Sequence, residues 1–125
     1  MDQVILMVED DAVNAMLMQR FLEKTNLFTE VIHAFNGQDA IDHCRNNASI
    51  KIVLMDIGIP IKNGYEATME IKEFRPQLPI IAQTAYNTSE DRERIADAGC
   101  DDFISKPINY PELIIVLKKN LELVS

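Results

Sequence analysis

The sequence predicts an α/β fold in which five parallel strands form one doubly wound sheet in the order 2-1-3-4-5, with five helices. Three observations predict it. Five short runs rich in Val, Ile and Leu, namely Gln3–Val8, Thr29–Phe35, Ile50–Asp56, Pro79–Thr84 and Asp102–Ser105, recur at intervals of roughly 25 residues. Each is followed by a longer stretch of helical periodicity, the pattern of strands joined by crossover helices. The first and third runs are apolar on both faces, as expected of central strands covered on both sides. Right-handed crossovers leave few arrangements for five such units, and 2-1-3-4-5 is a common one.

The first strand, Val4–Val8, runs into Glu9–Asp10–Asp11, which can cap a helix carrying Val13, Leu17 and Phe21 at helical spacing as its apolar stripe. A second helix is expected over Gly37–Asn46 with Ala40, Ile41 and Cys44 inward, and a third over Gly64–Phe74 with Ala67 and Ile71 inward. The fourth, Ser89–Ala98, is polar, with Glu90, Asp91, Arg92, Glu93, Arg94 and Asp97. The fifth runs from Pro111, suited to a first helical turn, to about Leu123. At about 100° per residue its inward arc takes Leu113, Val116, Leu117, Leu121 and Val124, while Ile115 lies opposite and Ile114 at the margin. An exposed Ile115 marks a contact surface. Gly64 and Gly99 are expected to supply turn or cap geometry.

Composition narrows the function classes. The chain has 125 residues, with 20 acidic and 12 basic side chains and a formal net charge of −8. One domain over 1–125 is expected, since there is no linker, repeat or low-complexity segment. The negative charge repels phosphate backbones, so no nucleic-acid partner is expected, while a divalent metal or a cationic partner is allowed. No apolar run is long enough to span a bilayer, and no basic-flanked signal precedes the first strand. Cys44 and Cys100 stand apart with no CxxC pair, which fits neither a disulfide framework nor a zinc site, so the expected compartment is cytoplasmic. His33 and His43 show no acid or Cys partner within sequence reach and are expected to be structural, and Cys100 reads as a small residue near a helix end.

Ligands of such sheets bind beyond the carboxyl ends of the strands, where strand order reverses. The first strand ends in Glu9–Asp10–Asp11 and the third in Asp56, so adjacent central strands aim carboxylates at one crevice. Two such charges about 4 Å apart repel by roughly 4 kcal/mol at an effective dielectric near 20, and the cluster needs positive charge. An all-oxygen site suits Mg²⁺. The fourth strand brings Thr84 and the fifth Lys106 to the same rim. An acid cluster with one further Asp, one hydroxyl and one Lys is what phosphorylating a carboxylate requires. Asp56 would attack phosphorus, Mg²⁺ would bridge it to phosphoryl oxygens, and Lys106 and Thr84 would satisfy the others.

The segments Val8–Asp11, Leu54–Pro60 leading to Asn63–Ala67, Gln83–Ala85 and Ala98–Pro107, in order on matching strands, resemble the receiver domain of two-component response regulators over essentially the whole chain. The resemblance implies a flavodoxin-like fold. It also implies a phosphorelay switch in which Asp56 is phosphorylated from a phosphohistidine on a histidine kinase or histidine phosphotransfer protein. Asp10 and Asp56 would hold Mg²⁺ directly, Glu9 through water and Gly58 through its backbone carbonyl. Lys106 would pair with the phosphoryl group, Thr84 would swing toward it, Phe103 would be the switch aromatic, and Lys106–Pro107 would be cis. The fourth helix, fifth strand and fifth helix would form the phosphorylation-sensitive partner face and the surface for a homodimer.

Two positions depart from the family pattern. Gly58 has no side chain to guide the attacking water, and Phe103 lacks the hydroxyl of the commoner Tyr. Asp56–Ile57 with Gly64–Tyr65–Glu66–Ala67–Thr68 is most similar to receivers of hybrid sensor kinases or single-domain regulators. Self-dephosphorylation would be slow, and no turnover enzyme is expected. A phosphohydrolase would carry its nucleophile on the first strand and need a cap insertion. A flavin carrier would need an anion cradle where Glu9–Asp10–Asp11 stands. With 19 residues after Lys106, one helix and no output domain is expected.

Overall fold

A computed structural model describes residues 3–85 and 88–122. The elements alternate as β1 (Val4–Val8), α1 (Ala12–Lys24), β2 (Glu30–Ala34), α2 (Gly37–Asn46), β3 (Ile50–Asp56), α3 (Gly64–Phe74), β4 (Ile80–Thr84), α4 (Ser89–Ala98), β5 (Asp102–Ser105) and α5 (Tyr110–Glu122). All pairings are parallel and the order is β2-β1-β3-β4-β5, as the sequence predicts. Side chains alternate across the sheet, which splits the core in two. Leu6, Val8, Val53 and Met55 meet Ala40, Ile41, Ala67 and Ile71 of α2 and α3. Ile5, Met7, Leu54 and Ile81 meet Ala15, Met18, Leu22, Leu113 and Leu117 of α1 and α5.

Every helix starts on a side-chain oxygen that accepts free N–H groups. Asp11 accepts from Val13 and Asn14, Asn36 from Asp39, Asn63 from Glu66 and Asn109 from Glu112, at 2.8–3.0 Å. Thr88 and Asp91 cap α4 reciprocally, and Gly99 at φ 100 closes that helix in the left-handed region. Gly64 answers a different need. A Cβ there would lie 2.6 Å from the Ile57 Cα and 2.7 Å from the Asp56 carbonyl oxygen, so glycine lets α3 seat directly on the end of β3. At the far end of the sheet, Lys72 joins the Asp101 carboxylate and the Leu78 carbonyl at 2.7 Å, and Arg75 reaches the Ile50 carbonyl at 2.6 Å.

Two expectations are corrected and one is extended. The buried stripe of α1 is Ala15, Met18 and Leu22, whereas Val13 is 61% and Leu17 50% exposed, with only Phe21 partly buried. Apolar residues stand on more than one side of this helix, interleaved with Asn14, Gln19, Arg20, Glu23 and Lys24, so spacing alone does not fix which side the cap at Asp11 turns inward. His43 does have an acid partner, Asp39 one turn earlier on α2, at 3.5 Å. On α5, Leu113 and Leu117 are buried and Val116 and Leu121 half-buried, but the inward arc also contains Asn120, whose amide donates to Asp102 and to the Val116 carbonyl. Val124 and Leu123 lie outside the described residues. Ile115 is 67% exposed, as expected. No helix among the described residues is long and apolar enough to cross a membrane.

The contrast between glycines is testable by urea unfolding. Gly64→Ala should cost about 2 kcal/mol, because backbone cannot yield as a flexible side chain can. Gly58→Ala, which meets only Asp56 Oδ1 at 3.9 Å, should stay within about 0.5 kcal/mol of the parent.

Candidate functional site

The carboxyl ends of β1, β3, β4 and β5 converge on one cleft of about 410 Å³, lined by Glu9, Asp10, Asp56, Gly58, Thr84 and Lys106 among others. Six of the seven sequence-derived site residues are therefore together. Asp56 is buried, and both of its oxygens are held: Oδ1 accepts from the Gly58 N–H at 3.0 Å and Oδ2 from Lys106 Nζ at 2.9 Å. Lys106 follows β5 directly, and its own N–H donates to the Thr84 carbonyl at 2.8 Å, which fixes the two strand ends against each other. The Lys106–Pro107 bond is cis, as expected. Thr84 is buried at the end of β4.

Carboxylate oxygens of Glu9, Asp10 and Asp56 lie within 4.8 Å of one another. Burial, followed by the hydrogen bond and charge of Asp56, pushes Glu9 from its ordinary 4.5 up to about 7, against the opposing pull of the Asp11 N–H and Lys106. A proton on Glu9 thus stands in for missing positive charge. An all-oxygen donor set with one exposed member, Asp10, fits a hard, partly hydrated divalent cation such as Mg²⁺. His33 is structural in the sense expected: its Nε2 meets the Glu9 carbonyl at 2.6 Å and its ring packs on Phe35. Burial pushes the thiols of Cys44 and Cys100 up to about 12 and about 11, so neither is a nucleophile at neutral pH.

Phe103 is the seventh residue, and it does not line the cleft. It sits half-buried on β5 with the Arg92 guanidinium 5.7 Å from its ring centroid. Conversely, the cleft includes residues the sequence reading passed over: Asn14, Gln83, and Tyr65 with Arg94 stacked 4.2 Å above its ring. Tyr65 enters the sequence reading only through its motif, and Arg94 only as one charge of the polar fourth helix.

The Glu9 proton sets a pH dependence. Between pH 4.5 and about 7 the unfolded chain has released this proton while the folded chain keeps it. Its contribution to stability is therefore complete below 4.5 and lost as pH rises through 7. Urea unfolding without divalent metal should show this decline in the parent and a flatter profile in Glu9→Gln; equal slopes would remove the assignment.

Comparison with known proteins agrees with this geometry. Residues 5–118 match the family described as response regulator receiver domain. The polar-differentiation response regulator DivK of Brucella anthropi is 36% identical over 124 residues, covering 97% of this chain and 98% of that protein. The hybrid signal transduction histidine kinase M of Dictyostelium discoideum is 37% identical over 121 residues, which is 92% of this chain but 5% of that protein. The receiver domain of the sensor histidine kinase PA1611 of Pseudomonas aeruginosa, with magnesium coordinated in its active-site cleft, superposes with a TM-score of 0.86 at 32% identity over 98% of this chain and 99% of that one. A receiver of Methanospirillum hungatei gives a TM-score of 0.88 at 27% identity over 98% of this chain and 95% of that one. With its sheet order, its rim of carboxylates and a match along nearly its whole length, the chain belongs to the response regulator receiver domain family, the phosphoacceptor switch domains of two-component signalling.

Proposed function

We propose that Asp56 accepts a phosphoryl group from a phosphohistidine on a histidine kinase or histidine phosphotransfer protein, and that its phosphorylation changes partner binding elsewhere on the domain. The observation that carries this reading is the 2.9 Å contact between Lys106 and Asp56 in a cleft that also gathers Glu9, Asp10 and Thr84. A carboxylate oxygen of Asp56 attacks phosphorus as the phosphorus–nitrogen bond breaks, and the electron pair leaves with the imidazole nitrogen. Lys106, already beside the attacking group, follows the charge onto the phosphoryl oxygens, and the Thr84 hydroxyl binds another. Asp10 and Asp56, with Glu9 through water and the Gly58 carbonyl, would hold Mg²⁺, which supplies Lewis-acid neutralisation of the transferring group. A cation held there would favour the ionised form of Glu9. The domain acts as an acceptor with slow self-dephosphorylation rather than as a turnover enzyme.

The donor must seat over the rim of the cleft. Leu17, which α1 turns outward, offers apolar surface beside it, since it lines a groove that shares Glu9, Asn14 and Lys106 with the cleft. The readout face is proposed to be α4, β5 and α5, where Phe103 packs beneath Arg92 and Ile115 stands exposed. The same face would serve a homodimer.

Intact mass after incubation with phosphoramidate tests the chemistry. One phosphoryl group should be gained only with Mg²⁺, lost in Asp56→Asn, and gained about a hundredfold more slowly in Lys106→Ala. No adduct on the parent chain would overturn the reading. Ile115→Lys should weaken partner binding or dimerisation; if both were unchanged, the readout face would lie elsewhere.

A further inference from the structure

In the sheet, Gln83 of β4 is the register partner of Asp56 of β3. Met7, Leu54 and Ile81 all belong to the core on the α1 and α5 side, so Glu9, Asp56 and Gln83, each two residues further on, form one row on that same side. Gln83 is 4% exposed. Its backbone carbonyl accepts from the Ile57 N–H at 3.1 Å, but among the described residues its carboxamide has no hydrogen-bond partner. Among the described residues no side-chain nitrogen or oxygen sealed from the surface lacks a partner, so the Gln83 amide atoms open onto cavity space. Two cavities meet at that point. Gln83, Glu9, Asn14 and Lys106 line both the acidic cleft and a groove of about 360 Å³ whose other walls include Met18, Ile108 and Tyr110.

The carboxamide thus meets the cleft rather than the chain, although the layer beneath it is Leu54, Ile81 and Ile104, where an apolar side chain would continue the core. A carboxamide offers two donors and an acceptor with two lone pairs, which suits it to phosphoryl oxygens and metal-bound water together. We infer that Gln83 is a further binding residue of the phosphoacceptor centre, whose carboxamide takes its hydrogen bonds from the cation and phosphoryl contents of the cleft and so favours the loaded centre over the empty one. This rests on the phosphoacceptor reading above. An interaction made in only one of two states shifts the balance by its full differential value.

The test compares the parent chain with Gln83→Leu and Gln83→Met, the second keeping side-chain length. Unloaded stability is measured by urea unfolding without metal, and loading by titration with Mg²⁺ and beryllofluoride, a phosphoryl stand-in. Both variants should be as stable as the parent or more stable when unloaded, yet bind beryllofluoride roughly tenfold more weakly, about the loss of one hydrogen bond to a charged group. Equal beryllofluoride affinity in a parent that loads would overturn this inference and leave the phosphoacceptor reading intact. A fall in unloaded stability in both variants, with loading lowered in proportion, would make Gln83 a structural residue. A parent that takes up neither beryllofluoride nor phosphoryl would overturn both readings.

Discussion

A parallel sheet delivers the carboxyl end of every strand to one rim, and in this chain that rim carries more negative charge than a buried site tolerates without help. Glu9 and Asp56 are both buried, Asp10 stands beside them, and at such separations repulsion between ionised carboxylates amounts to several kcal/mol. Compensation comes from three sources. Lys106 reaches Asp56 across fifty residues of sequence, the Gly58 and Asp11 N–H groups point inward, and Glu9 retains a proton to about pH 7. The last is a neutralisation that a bound cation would make unnecessary.

The two ends of the sheet are stabilised differently. At the amino end of the strands, Arg75 and Lys72 tie loops through backbone carbonyls and the Asp101 carboxylate, which also accepts the Ile80 N–H at 2.8 Å. Asn120 fastens α5 to Asp102 in the same way. These contacts are complete within the chain. At the carboxyl end the groups are left with reserve capacity: a protonated carboxylate, an unpaired carboxamide, an exposed Asp10. The fold is thus closed where it needs only to be stable and open where it must bind.

Much of this was legible in the sequence because period and punctuation agreed. The spans Ile50–Asp56, Gly64–Phe74 and Asp102–Ser105 match the structure residue for residue, and helices expected at about Gly37–Asn46 and about Ser89–Ala98 lie there, since apolar runs of strand length and well-capped helices leave little choice. Where one signal stood alone it misled. Spacing does not single out the inner face of α1, because Val13 and Leu17 recur at helical intervals just as the buried Ala15, Met18 and Leu22 do. His43 seemed partnerless although Asp39 lies one helical turn away, an i,i+4 relation that linear proximity hides. Gln83 passed unnoticed as the residue before Thr84, because its meaning lies in cross-strand register with Asp56. Charge chemistry at strand ends was readable from residue type; neighbourhood across strands and around helices was not.

The central proposal is that the carboxylate row of Glu9, Asp10 and Asp56 binds a divalent cation, whose charge draws off the proton that Glu9 otherwise holds. Calorimetric titration with Mg²⁺ at about pH 7, in two buffers of different ionisation enthalpy, tests it most directly. The account predicts binding of one cation with release of part of a proton, and loss of that release in Glu9→Gln. Absence of binding in the parent chain, or binding with no proton released, would contradict it.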